Sequence, residues 1–156
     1  MSRLSPPLGA FVAACAFALS LPSAAGAAPS PSALVLRGTQ YCISVEDGVA
    51  LASNPVDLAP CSGSASQQFL VRGSSLIYAK TLGDTIPLCI GNRRALGKAV
   101  LLNCLSHNAQ MKRVAVRNGG HSFRLTGGFL SGPALGQLRI QNSPHVTGRE
   151  AFLQVD

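Results

Sequence analysis

The residues with chemistry to offer in this 156-residue chain are five cysteines, three histidines and a concentration of cationic side chains. A cysteine thiolate either ligates a metal or pairs by oxidation, and an imidazole either ligates or relays a proton. A structural zinc site calls for Cys-x-x-Cys knuckles, and no two of Cys15, Cys42, Cys61, Cys89 and Cys104 are that close. His107, His121 and His145 are spread over three loops or strand starts without acids at ligand spacing, so neither a metal nor a cofactor is expected. No serine sits in a Gly-x-Ser-x-Gly turn and no glycine-rich phosphate loop precedes a helix. The chain is read as a non-enzyme and its cysteines as disulfide partners, with zinc as the competing reading.

Compartment decides between those two readings. Arg3 gives a short basic start, Leu8 to Leu21 is an apolar run broken by one serine, and Ala25-Gly26-Ala27 has the small-x-small form of a signal-peptidase site. Residues 1–27 are therefore read as a cleaved secretory signal. About 14 apolar residues are too few to cross a ~30 Å bilayer core as a helix, and no other stretch is apolar enough to span. A lipoprotein-type box, Val12-Ala13-Ala14-Cys15, is the rival. It would leave the protein periplasmic or lipid-anchored through Cys15, but the apolar run continues past Cys15 to Leu21. Cleavage removes Cys15 and leaves an even four cysteines in an oxidising compartment, where two disulfides are the expectation.

The surroundings of those four cysteines repeat. Tyr41-Cys42-Ile43, Val56-Asp57-Leu58-Ala59-Pro60-Cys61 and Gln67-Gln68-Phe69 are followed by Leu88-Cys89-Ile90, Val100-Leu101-Leu102-Asn103-Cys104 and Gln110-Met111. The first cysteines lie 47 residues apart, the second cysteines 43, and each glutamine follows its second cysteine by six. An internal repeat decides the architecture before any single residue does. It also selects Cys42–Cys61 and Cys89–Cys104, each inside its own unit. Loops of roughly 15 to 20 residues closed this way contribute about 3 kcal/mol each by restricting the unfolded chain.

Residues 28–156 have a one-domain length, no tryptophan, and short apolar or alternating runs punctuated by Gly, Pro, Asn and Ser, the pattern of an all-β barrel or sandwich. Twelve strands are predicted, four in each of three units at about 33–73, 74–118 and 119–156. In the third unit Leu130 and Ser143 are placed at the two cysteine positions, and Glu150-Ala151-Phe152 at that of Gln67-Gln68-Phe69.

Cys-Ile, a Val-x-Leu strand, a second cysteine and Gln-x-aromatic, three times over the mature chain, resemble the ricin B-type lectin family with its Gln-x-Trp repeats. The resemblance implies a β-trefoil. Its motif aromatic falls on Phe69, Lys112 and Phe152; in that family the ring is structural, so Phe69 and Phe152 are expected in the core. It also implies a sugar site per unit: an acid just after the first cysteine, an aromatic platform at the end of the Val-x-Leu strand, and a polar group after the second cysteine. The corresponding residues are Ser44, Ala59 and Ser62, then Gly91, Leu102 and Leu105, then Gly132, Gln141 and a residue near Ser143, which lack both acid and platform. Candidate replacements are Glu46, Asp47 and Asn92, with the ring of Tyr41 or Tyr78.

Charge adds a second candidate. Without the leader there are 12 Lys and Arg against six acids, and Arg93, Arg94, Lys98, Lys112, Arg113 and Arg117 all fall in the second unit. They read either as solvated turn residues or as a patch for sulfated or sialylated glycans, lipid headgroups or nucleic acid, with Arg93 and Arg94 as candidate binding residues. Nucleic acid is not an expected partner, since no aromatics interleave the basic run. The leading reading is a secreted lectin-like module with degenerate sugar sites that attaches to glycans or cell-surface glycoconjugates. Cys42-Ile43-Ser44 with Leu58-Ala59-Pro60-Cys61-Ser62-Gly63-Ser64 is also similar to the trefoil subunits of cytolethal distending toxins, which implies the alternative of a cell-targeting subunit with a toxin catalytic partner. A Kunitz-type protease inhibitor presenting Arg93-Arg94 is the third reading.

Overall fold

Short runs of β-branched and aliphatic residues between glycine-centred turns become strands. The computed structural model describes residues 29–93, 97–116, 120–132, 136–141 and 152–155. The first unit is β1 (Ser32–Leu36), β2 (Tyr41–Val45), β3 (Val56–Pro60) and β4 (Gln68–Arg72). The second is β5 (Ser75–Tyr78), β6 (Leu88–Asn92), β7 (Ala99–Asn103) and β8 (Met111–Ala115). The third is β9 (His121–Leu125), β10 (Gly128–Ser131), β11 (Gly136–Gln137), β12 (Arg139–Gln141) and β13 (Phe152–Val155). The expected third strand of the last unit is thus two short pieces: β11 pairs with β3 of the first unit, and β12 with β10 of its own.

All neighbours are antiparallel. One ring of strands closes through β1–β4, β4–β5, β8–β9, β9–β13 and β13–β1, with Met111 N–H donating to the Ser74 carbonyl (2.8 Å) where β5 and β8 meet. At one end the three inner hairpins lean on each other: Pro55 bridges Val100, Lys98 bridges Arg139, and Gly136 and Gln137 pair with Leu58 and Asp57. Cross-links such as Ser53 N–H to Leu101 O (2.7 Å) and Ala99 N–H to Leu138 O (3.2 Å) satisfy backbone groups between units. This is the pseudo-threefold β-trefoil arrangement.

Register shows the threefold relation residue by residue and corrects the sequence alignment. Ile43 lies opposite Leu58, Ile90 opposite Leu101 and Leu130 opposite Ile140, while Cys42 lies opposite Ala59, Cys89 opposite Leu102 and Phe129 opposite Gln141. Phe129, not Leu130, therefore stands at the first cysteine's position, and Leu130 is the core residue beside it. Likewise Phe69 faces Tyr78, Met111 faces Leu125 and Phe152 faces Leu36, so Met111 and not Lys112 takes the motif aromatic's place in the second unit. Side chains alternate faces along a strand, so a slip of one residue would have buried an ammonium.

The core contains the triplets Leu34, Leu76 and Phe123; Leu36, Tyr78 and Leu125; Ile43, Ile90 and Leu130; Val56, Ala99 and Leu138; and Phe69, Met111 and Phe152, with Leu58 and Leu101 beside them. Phe69 packs on Tyr78 with ring centroids 5.6 Å apart, and Phe123 on Phe152 at 5.9 Å, in tilted geometries favourable to aromatic quadrupoles. Disulfides join Cys42 to Cys61 and Cys89 to Cys104. The second sits in a small apolar cluster with Leu70, Ile77 and Ala109. The cysteines are thus oxidised pairs, and two disulfides favour an oxidising compartment. Among the described residues no helix is long and apolar enough to cross a membrane. Residues 1–27, with Cys15, lie outside the described residues, as do Arg94, Arg117, Ser143, His145 and Glu150.

Candidate functional site

The motif glutamines explain the loops around the first cleft. Gln67 is buried, donates Nε2 to the Pro60 carbonyl (2.9 Å) and accepts from the Ser62 N–H (2.8 Å), pinning the segment after Cys61. Gln110 does the same for its unit, donating to the Cys104 carbonyl (3.1 Å). The six-residue offset is therefore the reach of one amide back across a turn.

Against that pinned segment lies a cleft of about 490 Å³, lined by Ser44, Glu46, Asp47, Asp57, Ser64 and Ser66 with Lys80 from the next unit. Hydroxyls run along it: Ser62 to Ser64 (3.0 Å), Ser64 to Ser66 (2.8 Å) and Ser44 to Ser66 (3.5 Å). The opposite lip is the 3₁₀ turn Glu46–Gly48, held by Asn54 Nδ2 on the Glu46 and Val49 carbonyls (2.8 and 3.0 Å). Tyr78 Oη and Lys80 Nζ both donate to the Gly48 carbonyl, at 3.1 and 3.0 Å. Asp47 adopts φ 53°, a left-handed conformation uncommon for a residue with a Cβ, which marks a turn fixed by its surroundings. Among the described residues no hydrogen bond or ion pair engages the carboxylates of Glu46, Asp47 or Asp57. Three free acceptors and a row of hydroxyls in one cleft can accept from and donate to a polyhydroxylated ligand.

Of the residues singled out from sequence, the cleft brings together Ser44, Ala59, Glu46 and Asp47. It adds Asp57, Ser64, Ser66 and Lys80, which sequence reasoning missed. Tyr41 is half-buried against the core, and neither cleft lining includes it. Tyr78 is fully buried, its phenol pushed up from the ordinary value by desolvation, so it anchors the turn and cannot be a sugar platform. Asn92 is 5 % exposed and donates Nδ2 to the Thr126 carbonyl (2.8 Å); it is a brace between units and not the surface ligand group expected. Arg93 is exposed, outside both clefts, and its neighbour Arg94 lies outside the described residues.

The corresponding positions in the other units differ. Gly91 replaces Ser44 in the second, where a Cβ would meet Leu102 Cδ1 at 2.6 Å and the Asn108 backbone carbonyl at 2.8 Å, so no side chain fits at that position. In the third the equivalent is the buried Ser131, not Gly132, by the same one-residue correction.

A second cleft of about 650 Å³ lies at the junction of the second and third units, lined by Gln110, Lys112, Arg124, Thr126, Gly127 and Phe129 among others. Nearby, Arg113 Nη2 lies 3.0 Å from His121 Nδ1. Burial and then the Arg113 charge lower the His121 pKa. The native state thus disfavours the imidazolium, so this contribution to stability is intact above about pH 6.5 and declines as pH falls from there through the lowered native value. Thermal unfolding from about pH 8 to about pH 5 should show a decline that His121→Gln flattens.

No known family model matches the sequence, and no curated protein matches it. Solved structures do. ThreeFoil, a designed threefold symmetric protein, is similar at TM-score 0.65 and 18% identity over 81% of this chain and 98% of its own. The hemolytic lectin CEL-III is similar at TM-score 0.65 and 15% identity over 82% of this chain and 31% of its own, so the present chain spans about a third of that protein. The Rhizoctonia solani agglutinin gives TM-score 0.63 and 12% identity over 83% of this chain and 96% of its own. At such identities the likeness establishes the β-trefoil fold.

Proposed function

We propose that the protein is a secreted, non-enzymatic carbohydrate-binding module whose working site is the cleft of the first unit. The observation that carries this reading is the set of unengaged carboxylates, Glu46 and Asp47 on the braced turn and Asp57 on β3, lining one cleft with the serine hydroxyls. Two of the similar structures are a lectin and an agglutinin, which supports the same class. The two disulfides support export, and residues 1–27 supply the leader such export needs. Among the described residues the cleft has no aromatic wall, so a neutral sugar is held by its hydroxyls, each bond to a carboxylate netting about 1.5–3 kcal/mol.

A glycan-array screen of the mature chain at low and at physiological salt tests this. Salt-resistant binding of a neutral glycan is expected, and Asp57→Asn should weaken it about tenfold, the worth of one charge-assisted bond, with unchanged thermal unfolding. Absence of neutral-glycan binding, or binding indifferent to Asp57→Asn and Asp47→Asn together, would sink the proposal.

A further inference from the structure

The second cleft has a different chemistry from the first. Because Met111 occupies the core position, Lys112 is turned outward, directly opposite Arg124 on the neighbouring strand. Two like charges face to face destabilise an antiparallel pair unless something neutralises them. Both are exposed, and the Arg124 guanidinium lies 5.7 Å over the centroid of Phe129. Phe129 stands where the other two units have a disulfide cysteine, so the third unit presents an aromatic-backed cation at that position. A guanidinium stacked this way keeps its N–H fork free for an oxyanion.

The rest of the cleft is braced. The Thr126–Gly127 turn is held by Asn92 Nδ2 on the Thr126 carbonyl and by Thr126 Oγ1 on the His107 carbonyl (3.1 Å). Gly127 has φ +95°, and a Cβ there would meet Asn92 Nδ2 at 2.8 Å, so backbone comes to the cleft wall without a side chain. Gln110 is fixed by Ser74 Oγ at 2.6 Å and the Cys104 carbonyl. Two cations, a stacked ring and a bare backbone turn in about 650 Å³ make a preformed anion site of saccharide size.

We infer that the junction of the second and third units is a second binding site, selective for a saccharide bearing sulfate or carboxylate, with Lys112 and Arg124 clamping the anion. It shares Lys112 with the charge cluster legible in the sequence but not Arg93 or Arg94, and it does not depend on the sugar-binding reading of the first cleft.

The test is titration calorimetry with a sulfated disaccharide and, separately, with its desulfated form. Wild type should bind the sulfated probe in a salt-sensitive way. Arg124→Gln and Lys112→Gln should each weaken it about tenfold, on the basis that a charge-assisted bond is worth about 1.5 kcal/mol. Arg93→Gln and Lys98→Gln should change it less than about twofold, as expected of surface charges acting only through the general field. Lys112→Gln should also raise the unfolding temperature, which a purely structural lysine would not do. In wild type, the sulfated probe should protect Lys112 from acetylation while Lys80 and Lys98 stay reactive. Equal losses in all four variants would reduce the effect to net charge and overturn the site, as would unprotected Lys112 or equal binding of the desulfated probe. Neutral-glycan binding by the Lys112 and Arg124 variants keeps this outcome separate from that of the first cleft.

Discussion

Phe69→Ala should leave a chain largely unfolded at body temperature, with a loss of about 3–5 kcal/mol against a total stability of about 5–15 kcal/mol. Phe69 is fully buried, stacks on Tyr78 and lies opposite it across β4 and β5, while β4 also pairs with β1. Its removal opens a cavity among side chains from two units, and Tyr78 is the residue whose hydroxyl holds the Gly48 turn. Chemical denaturation monitored by circular dichroism should show the midpoint collapse. A conservative Phe69→Leu should recover most of it. A midpoint within about 1 kcal/mol of wild type for the alanine variant would contradict the core assignment.

Cys89→Ser, paired with Cys104→Ser so that no free thiol remains, should cost about 3 kcal/mol, the loop-closure value for a 15-residue separation. The bridge is buried with Leu70, Ile77 and Ala109, so polar hydroxyls there add to the loss. Neutral-glycan preference should not change, because this bridge and the first cleft share no residue. Removal of Cys42–Cys61 should behave differently. Cys61 is exposed and directly precedes Ser62, so that bridge should be the first reduced by a mild thiol, and its loss should loosen the serine wall. Reduction followed by mass spectrometry, with glycan binding measured at each stage, distinguishes the two.

Except for the third strand of the last unit, which splits into β11 and β12, the strands were legible in the sequence to within one or two residues, because short apolar runs bounded by turn residues have few alternatives. The pairing of the cysteines was legible because the repeat carries its own spacing. What the spacing could not supply was register. Counting from Gln110 puts Lys112 in the core, and counting from Leu130 puts a leucine at a cysteine position; only opposition across the ladder, Met111 to Leu125 and Phe129 to Gln141, fixes the faces. Glu46 and Asp47 could be proposed from their distance along the chain after Cys42. Asp57 could not, since a polar residue between two buried ones on a strand reads as solvent-facing, and it gains meaning only when β2 brings Ser44 opposite it. Lys80 reaches the cleft from another unit, a proximity no local pattern encodes. Asn92 misled for the opposite reason: a polar residue after glycine reads as a loop, yet β6 runs through it and buries it.

The pairing of β1 with β13, Ala33 with Val155 through Leu36 with Phe152, makes the molecule topologically a ring with one cut in it. Each unit meets the next in the same way whether or not the backbone is continuous there, so the position of the cut is arbitrary. Joining β13 to β1 by a flexible linker and reopening the chain at the exposed Gly73–Ser74 turn, between β4 and β5, would give a permuted protein whose two disulfides and first cleft are still formed by the same strands. In the natural order the ring closes only when β13 meets β1, so a chain emerging strand by strand stays open until β13 is made.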